Sequence, residues 1–234
     1  MKQSVLIAIP CYGGIMSART AIGLMNLGKE LQNKMIKHDV LIVTNQSLIP
    51  KARSDMANYF LNATTFDYLH WIDADIGFSP SDFFKLYDMD VEHSMGTYRH
   101  KVQNVKYSFT LDAPNNKMIW KNDAVKVLRN VGGYSLIHRS VFETIRKKHP
   151  ELKYIPYSDG RMVSDAEINN SYHFYDTPIH EGYMIPEDFA FHDKCKKCNI
   201  DMWMRPDIKL IHNGNTDFQN DDLLTTLKEM DNER

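Results

Sequence analysis

The chain has 234 residues, 43% hydrophobic and 25% charged, with 11 glycines and 9 prolines, a composition that excludes disordered, collagen-like and coiled-coil architectures. Net charge is −2, yet residues 97–155 hold 12 Lys/Arg against 4 Asp/Glu, so this segment is either a solvated face or the footprint of a polyanionic partner. No apolar run reaches the roughly 18 residues of a membrane span, and the short one ending at Pro10 is too brief for a secretory leader. The three cysteines (Cys11, Cys195, Cys198) form no disulfide framework, and a reducing, cytoplasmic setting is expected.

Val5-Leu6-Ile7-Ala8-Ile9 is a continuous apolar run closed by Pro10 and followed by Gly13-Gly14, the mark of a strand buried on both faces. A helix is predicted from about Ser17 to Lys34, with Ala18, Ala21, Ile22, Met25 and Leu31 near one stripe. Asp39–Thr44 reads as a second strand. Pro50–Leu61 reads as a helix opened by proline, whose missing N–H costs least there. Phe66–Ile72 is a third strand, and Ser79, Pro80 and Asp82 mark the next helix start as N-cap, first helical residue and capping-box acid. Strand and helix alternate through this third of the chain, as in a parallel sheet covered by helices.

From Asp90 to about Ile137 the pattern changes to short alternating stretches (Tyr107–Leu111, Met118–Trp120, Val125–Leu128, Tyr134–Ile137), which predict antiparallel or mixed strands. Ser140 with Glu143 predicts another capping box, ahead of a helix to about Lys148. Residues Glu151–Met184 are irregular and rich in Tyr, Asp, Ser and His, and form the expected substrate-binding loop. Pro186 opens a helix to about Lys197, short strands follow at Asp201–Met204 and Ile208–Ile211, and the C-terminal end reads as a charged, loosely attached helix.

Several constellations bear on chemistry. In Trp71-Ile72-Asp73-Ala74-Asp75-Ile76-Gly77-Phe78 two carboxylates sit where an apolar strand ends, and extended backbone would turn both to one side. Converging carboxylates repel, so either they are two solvated turn acids or they hold a cation such as Mg²⁺ or Mn²⁺ with a substrate's phosphates. Glu187 and Asp188, after Pro186, either complement a helix dipole or supply a general base. His212, at the end of Ile208-Lys209-Leu210-Ile211, is a surface imidazole or a metal ligand. Cys195-Lys196-Lys197-Cys198 is a single CxxC, for which packing is favoured over zinc. Gly13-Gly14 and Gly132-Gly133 match neither a dinucleotide fingerprint nor a P-loop.

Taken in order, these segments resemble the GT-A class of nucleotide-sugar glycosyltransferases, especially small bacterial, phage and large-virus members. The resemblance is carried by Leu6-Ile7-Ala8-Ile9-Pro10-Cys11-Tyr12, Ile49-Pro50-Lys51-Ala52-Arg53-Ser54-Asp55, Trp71-Ile72-Asp73-Ala74-Asp75, Gly96-Thr97-Tyr98-Arg99, Gly132-Gly133-Tyr134-Ser135-Leu136-Ile137, Glu187-Asp188-Phe189-Ala190-Phe191 and His212-Asn213-Gly214. It departs from the class at Ser54, where Asn is common, and in the Cys-Tyr-Gly-Gly that follows the first strand.

The resemblance implies an α/β fold of GT-A type: a Rossmann-like, mostly parallel sheet with helices on both faces and a small antiparallel or mixed acceptor-side sheet. It implies one domain, with residues 1–96 as the nucleotide-sugar half, 97–215 as the acceptor half and 216–234 as a helical tail. Pro10, Cys11 and Tyr12 would line the base and ribose, and Arg53 would contact the nucleotide or its phosphates. Asp73-Ala74-Asp75 would be the DxD motif binding Mn²⁺ or Mg²⁺, with Asp75 the direct ligand, Asp73 nearer the ribose and donor sugar, and His212 completing the metal site. Gly132 and Gly133 would allow close approach to the donor sugar. Asp188 would be the base of a single inverting displacement, with Glu187 the competing choice or the residue that orients the acceptor.

The expected donor is a UDP-sugar and the expected acceptor a glycan or glycoconjugate. A phage or viral enzyme glycosylating hydroxylated DNA bases is the alternative, drawn from the basic 97–155 segment. A binding module without catalysis is a third. A nucleotidyltransferase would need a Gly-rich loop with Arg and Lys just after the first strand, where only Gly13-Gly14 and a distant Arg19 occur. A haloacid-dehalogenase-type phosphatase would carry its Asp-x-Asp on the first strand rather than the third.

Overall fold

β1 (Val5–Cys11) is buried along its whole length because its alternate side chains enter two different cores. Leu6 and Ala8 pack with α2 (Ile49–Ala63), α4 (Arg139–Lys148) and α5 (Glu187–Lys197), through residues such as Phe60, Phe142 and Phe191. Val5, Ile7 and Ile9 pack on the opposite face with α1 (Ala18–Asn33) and α3 (Pro80–Tyr87), through Leu27, Leu31, Phe83 and Leu86. Helices therefore cover both faces, as a continuous apolar strand requires. In this computed structural model the described residues are 3–156, 164–165 and 170–233.

β2 (His38–Thr44) and β3 (Tyr68–Ile72) flank β1 in parallel. The sheet continues through β9 (Tyr134–His138), β5 (His93–Met95), β12 (Met202–Met204), β8 (Ala124–Asn130) and β6 (Phe109–Leu111), with β7 (Trp120–Lys121) also on β8. Among its described strands, β9 and β8 run against the others, so the sheet is mixed in pairing but mostly one-directional. This is the α/β class the sequence predicts. Two small antiparallel sheets stand apart: β10 (Ile179–His180) with β11 (Tyr183–Met184), and β4 (Ile76–Gly77) with β13 (Ile211–Asn213) and β14 (Asp217–Gln219).

Several sequence expectations shift. The buried stripe of α1 is Thr20, Gly23, Leu27 and Leu31, while Ile22 and Met25 face solvent. Gly23 sets that face, because a Cβ there would lie 2.8 Å from the Phe78 carbonyl oxygen. The capping box at α3 is present as expected, with Ser79 and Asp82 exchanging bonds. At α4 the cap is His138, whose ring nitrogen accepts from the Ser140 N–H at 3.3 Å, and the Ser140 hydroxyl turns instead to Glu92. The strand expected at Ile208–Ile211 begins only at Ile211. Ile208 and Leu210 are core side chains on irregular backbone.

The C-terminal helix α6 (Leu223–Asn232) is docked rather than loose. Leu223 and Leu227 enter the first core, and the Asp231 carboxylate accepts from Met118 N at 2.8 Å and Trp120 Nε1 at 3.1 Å. Of the expected substrate loop 151–184, residues 157–163 and 166–169 lie outside the described residues. Phe174 and Tyr175 are core residues, with the Tyr175 ring stacked 4.5 Å from Phe191. No helix among the described residues is long and apolar enough to cross a membrane.

Candidate active site

The two acids after β3 sit on a turn rather than on extended backbone. Ala74 and Asp75 form the turn, and Ile76 N donates back to Asp73 O at 3.1 Å. Neighbouring segments hold it from three sides: Asp73 N donates to Gly133 O, Ser17 N to Ala74 O and Asn213 N to Asp75 O, each at 2.8 Å. A cavity of about 450 Å³ opens over the turn, lined among others by Pro10, Tyr12, Asp73, Ala74, Asp75 and Gly214. Asp73 and Asp75 both line this space, but their carboxylates go to different partners. Pro10 is a buried part of this lining, Tyr12 is 71% exposed at its mouth, and the Cys11 thiol turns inward to donate to Ile15 O at 3.1 Å.

Pairing of β4 with β13 sets His212 opposite Ile76 and so beside Asp75. His212 Nε2 lies 3.5 Å from Asp75 Oδ2, and Lys101 Nζ lies 2.5 Å from the same oxygen. Burial pushes the Asp75 carboxyl up, but the bonds from His212 and Lys101 outweigh it and hold the group down at about 2. The other ring nitrogen, Nδ1, is 2.9 Å from the Arg99 carbonyl, which can only accept. Nδ1 therefore donates to that carbonyl, and the Nε2 edge of the ring faces Asp75. A carboxylate and an imidazole this close are ligand types that could hold a divalent ion, whose remaining positions would go to phosphate and water. No group of three His, Cys, Asp or Glu fit to hold a metal occurs among the described residues, and the Asp73 oxygens are already engaged.

Those oxygens belong to a buried network. Arg53, 3% exposed on α2, gives Nη2 to Asp73 Oδ1 at 2.7 Å, and its Nε lies 3.5 Å from Glu187 Oε1. Tyr98 donates to Asp73 Oδ2 at 3.3 Å. Beneath, the guanidinium lies 5.3 Å from the Trp71 ring, and Trp71 Nε1 bonds the Tyr175 hydroxyl at 2.8 Å. Desolvation disfavours the Arg53 charge, but Asp73 and Glu187 more than compensate and raise its pKa. Arg53 thus sits behind the acids, tying the β3 turn to the start of α5. Ser54 serves the same support, its hydroxyl accepting from Tyr175 N at 3.2 Å.

Gly132-Gly133, between β8 and β9, is packed against both acidic motifs. An added Cβ on Gly132 would meet Asp188 Cβ at 3.0 Å, and one on Gly133 would meet Tyr98 Oη at 2.4 Å. The Gly132 N–H donates to Asp188 Oδ2 at 3.2 Å. Burial, and then the Glu187 charge, push the Asp188 carboxyl up to about 6 against the pull of Arg53 and the Phe189 and Gly132 N–H groups. Of the candidate residues, Pro10, Tyr12, Asp73, Ala74 and Asp75 line the cavity, Arg53, Glu187, Asp188, Gly132 and Gly133 lie in or against the network beside it, and His212 lines a neighbouring cavity.

Lys101 and Tyr98 are the site residues that sequence reasoning assigned no role. Tyr98 lies in a segment the resemblance already picks out, while Lys101 is lost within the basic stretch. Four cations of that stretch are engaged within the chain. Lys101 is on Asp75, Lys126 lies between Asp112 and Asp201, Arg129 grips Asp193 through two nitrogens, and Arg139 bonds carbonyls of residues 60, 61, 64 and 66. Cys195 and Cys198 are buried in the first core, and burial raises both thiols.

No protein-family model matches the chain, and no curated protein matches it. Among solved structures, A197 from STIV is 16% identical and overlays with a TM-score of 0.53, covering 91% of this chain and 86% of that one. The two share a fold. The catalytic domain of Drosophila beta1,4galactosyltransferase 7, solved with xylobiose, overlays at a TM-score of 0.45 with 11% identity, over 93% of this chain and 70% of its own. GalNAc-T7, solved with UDP, GalNAc and Mn²⁺, overlays at 0.47 with 10% identity, over 89% of this chain and 42% of its own.

Proposed function

We propose that the chain is a metal-dependent glycosyltransferase of GT-A type that moves a sugar from a nucleoside diphosphate sugar, a UDP-sugar first among candidates, to an acceptor hydroxyl with inversion. The acceptor in this reading is a glycan or glycoconjugate. The observation that carries it is the seat of Gly132-Gly133 between Asp188 and Asp73, which brings the acidic turn and a candidate base to either side of one bare stretch of backbone.

The cavity over the acidic turn would take the nucleotide and its diphosphate, with Tyr12 at its mouth. A divalent ion held by Asp75 and His212 would neutralise charge on the departing diphosphate. Asp188 would accept the proton of the attacking hydroxyl. Raised to about 6, it is ionised at neutral pH yet more basic than an ordinary carboxylate. Glu187 faces the Arg53 guanidinium at 3.5 Å, whereas Asp188 is held by the Phe189 and Gly132 N–H groups beside the bare Gly132-Gly133 backbone, so Asp188 is the acid assigned this role. Gly132 and Gly133 would let the donor sugar approach the chain closely.

Nucleotide release on purified protein tests this, with UDP-glucose, UDP-galactose, UDP-GlcNAc and a GDP-sugar, in Mn²⁺ or EDTA, beside Asp75→Ala. Metal-dependent release that the variant loses is the expected result. Absence of release with every donor, together with no metal-dependent nucleotide binding, overturns the reading.

A further inference from the structure

Lys101 stands where the cation of the proposed site would bind. Its ammonium touches Asp75 Oδ2 at 2.5 Å, the same oxygen that faces His212 Nε2 at 3.5 Å. The stem of the side chain lies over Gly214, where an added Cβ would meet Lys101 Cδ at 3.1 Å. Lys101 and His212 line one cavity of about 310 Å³, while Asp75 and Gly214 line the larger one beside it. The lysine therefore reaches across the boundary between the two, and 37% of its side chain is exposed.

An ammonium and a divalent ion repel each other and cannot share one carboxylate oxygen. We propose that Lys101 is a built-in competitor for the divalent cation: it holds Asp75 in the ligand-free protein and transfers to the diphosphate when nucleotide and cation bind together. This inference rests on the glycosyltransferase reading. Two consequences follow from linkage. The cation alone binds weakly, because it must displace Lys101. A nucleoside diphosphate offers the displaced ammonium a new anion, so each ligand tightens the binding of the other by the same factor.

The test is Mn²⁺ titration of the full chain followed by electron paramagnetic resonance of the free ion, with and without UDP, for the wild type, Lys101→Met, Lys101→Arg and Asp75→Asn. Association of Mn²⁺ with UDP in buffer is subtracted. Lys101→Met should bind Mn²⁺ alone about five-fold tighter, the factor expected from losing a half-exposed ion pair, and UDP should add less to its Mn²⁺ affinity than it adds for the wild type. Lys101→Arg keeps the charge and should keep the weak binding, while Asp75→Asn should lose it.

Equal Mn²⁺ affinity in wild type and Lys101→Met overturns the competitor role and leaves the metal site standing. The same tightening in Lys101→Arg also overturns it, since the effect would then come from packing rather than charge. No Mn²⁺ binding by either protein, with or without UDP, overturns both this inference and the metal-dependent reading beneath it.

Discussion

Gly133 leaves no room for a side chain beside Asp73: a Cβ on it would lie 2.1 Å from Asp73 Oδ2. Because Asp73 N also donates to Gly133 O at 2.8 Å, neither residue can retreat without breaking a backbone bond. Gly133→Ala is therefore expected to push Asp73 off Arg53. Transfer should fall by about 100-fold or more, while overpacking costs about 1–3 kcal/mol of stability. Steady-state kinetics beside urea unfolding check this. Gly132→Ala, whose Cβ would meet Asp188 Cβ at 3.0 Å, should be milder.

Asp188 sets the acid limb. A base held at about 6 must be ionised to accept a proton, so kcat/KM should fall below that pH with unit slope. The sign for stability is opposite to that of a salt-bridged carboxylate. The folded state holds this proton more tightly than the unfolded chain does, so stability falls as pH rises from about 4 to about 6. Asp188→Asn should lose most activity and, above pH 6, gain about 1–2 kcal/mol over the wild type. Denaturant midpoints at pH 4 and pH 8 measure it, and the gain should vanish at the lower pH.

Arg53 is the charge on which two motifs converge. Arg53→Met would leave Asp73 and Glu187 facing each other across a buried gap, and is expected to cost about 3 kcal/mol or more. Arg53→Lys keeps the charge without the planar fork and should be intermediate. Removing the guanidinium also removes a pull that lowers the Asp188 pKa, so any residual activity of Arg53→Met should show its acid limb shifted upward. Thermal unfolding and the pH profile read the two effects separately.

The alternation of strand and helix over the first 90 or so residues was legible because the strands are rich in apolar residues, the first helix shows a stripe, and the next two open on proline. The acidic turn, Glu187, Asp188 and His212 were legible as residue types at the ends of such elements. Their mutual arrangement was not. It depends on long-range pairing of β4 with β13 and on a buried arginine whose partners lie 20 and 134 positions away, and neither leaves a local periodicity. The exposed Ile22 and Met25 misled for a related reason, since an apolar stripe does not reveal that Gly23 is the point of closest approach.

The C-terminal helix was misread because the segment that holds it, Asp221–Arg234, carries more charged than apolar residues, although Leu223 and Leu227 stand at the i, i+4 spacing of a buried stripe. Leu227→Ala is expected to cost about 2–4 kcal/mol, since that side chain is 3% exposed in the main core. A urea midpoint shift with unchanged Mn²⁺ binding would place its role in stability alone.

The placement of β9 has a consequence for how the chain reaches its fold. β9 lies between β3 and β5, both made earlier in the chain, and pairs with each through residues 134–138. During synthesis β3 therefore emerges with one edge bare, and stays so for more than 60 residues until its neighbour arrives. An apolar strand with an open ladder invites pairing with other chains. Nascent or truncated forms ending before residue 134 should thus be the ones that chaperones hold and that aggregate, whereas chains released after it can close the sheet on themselves.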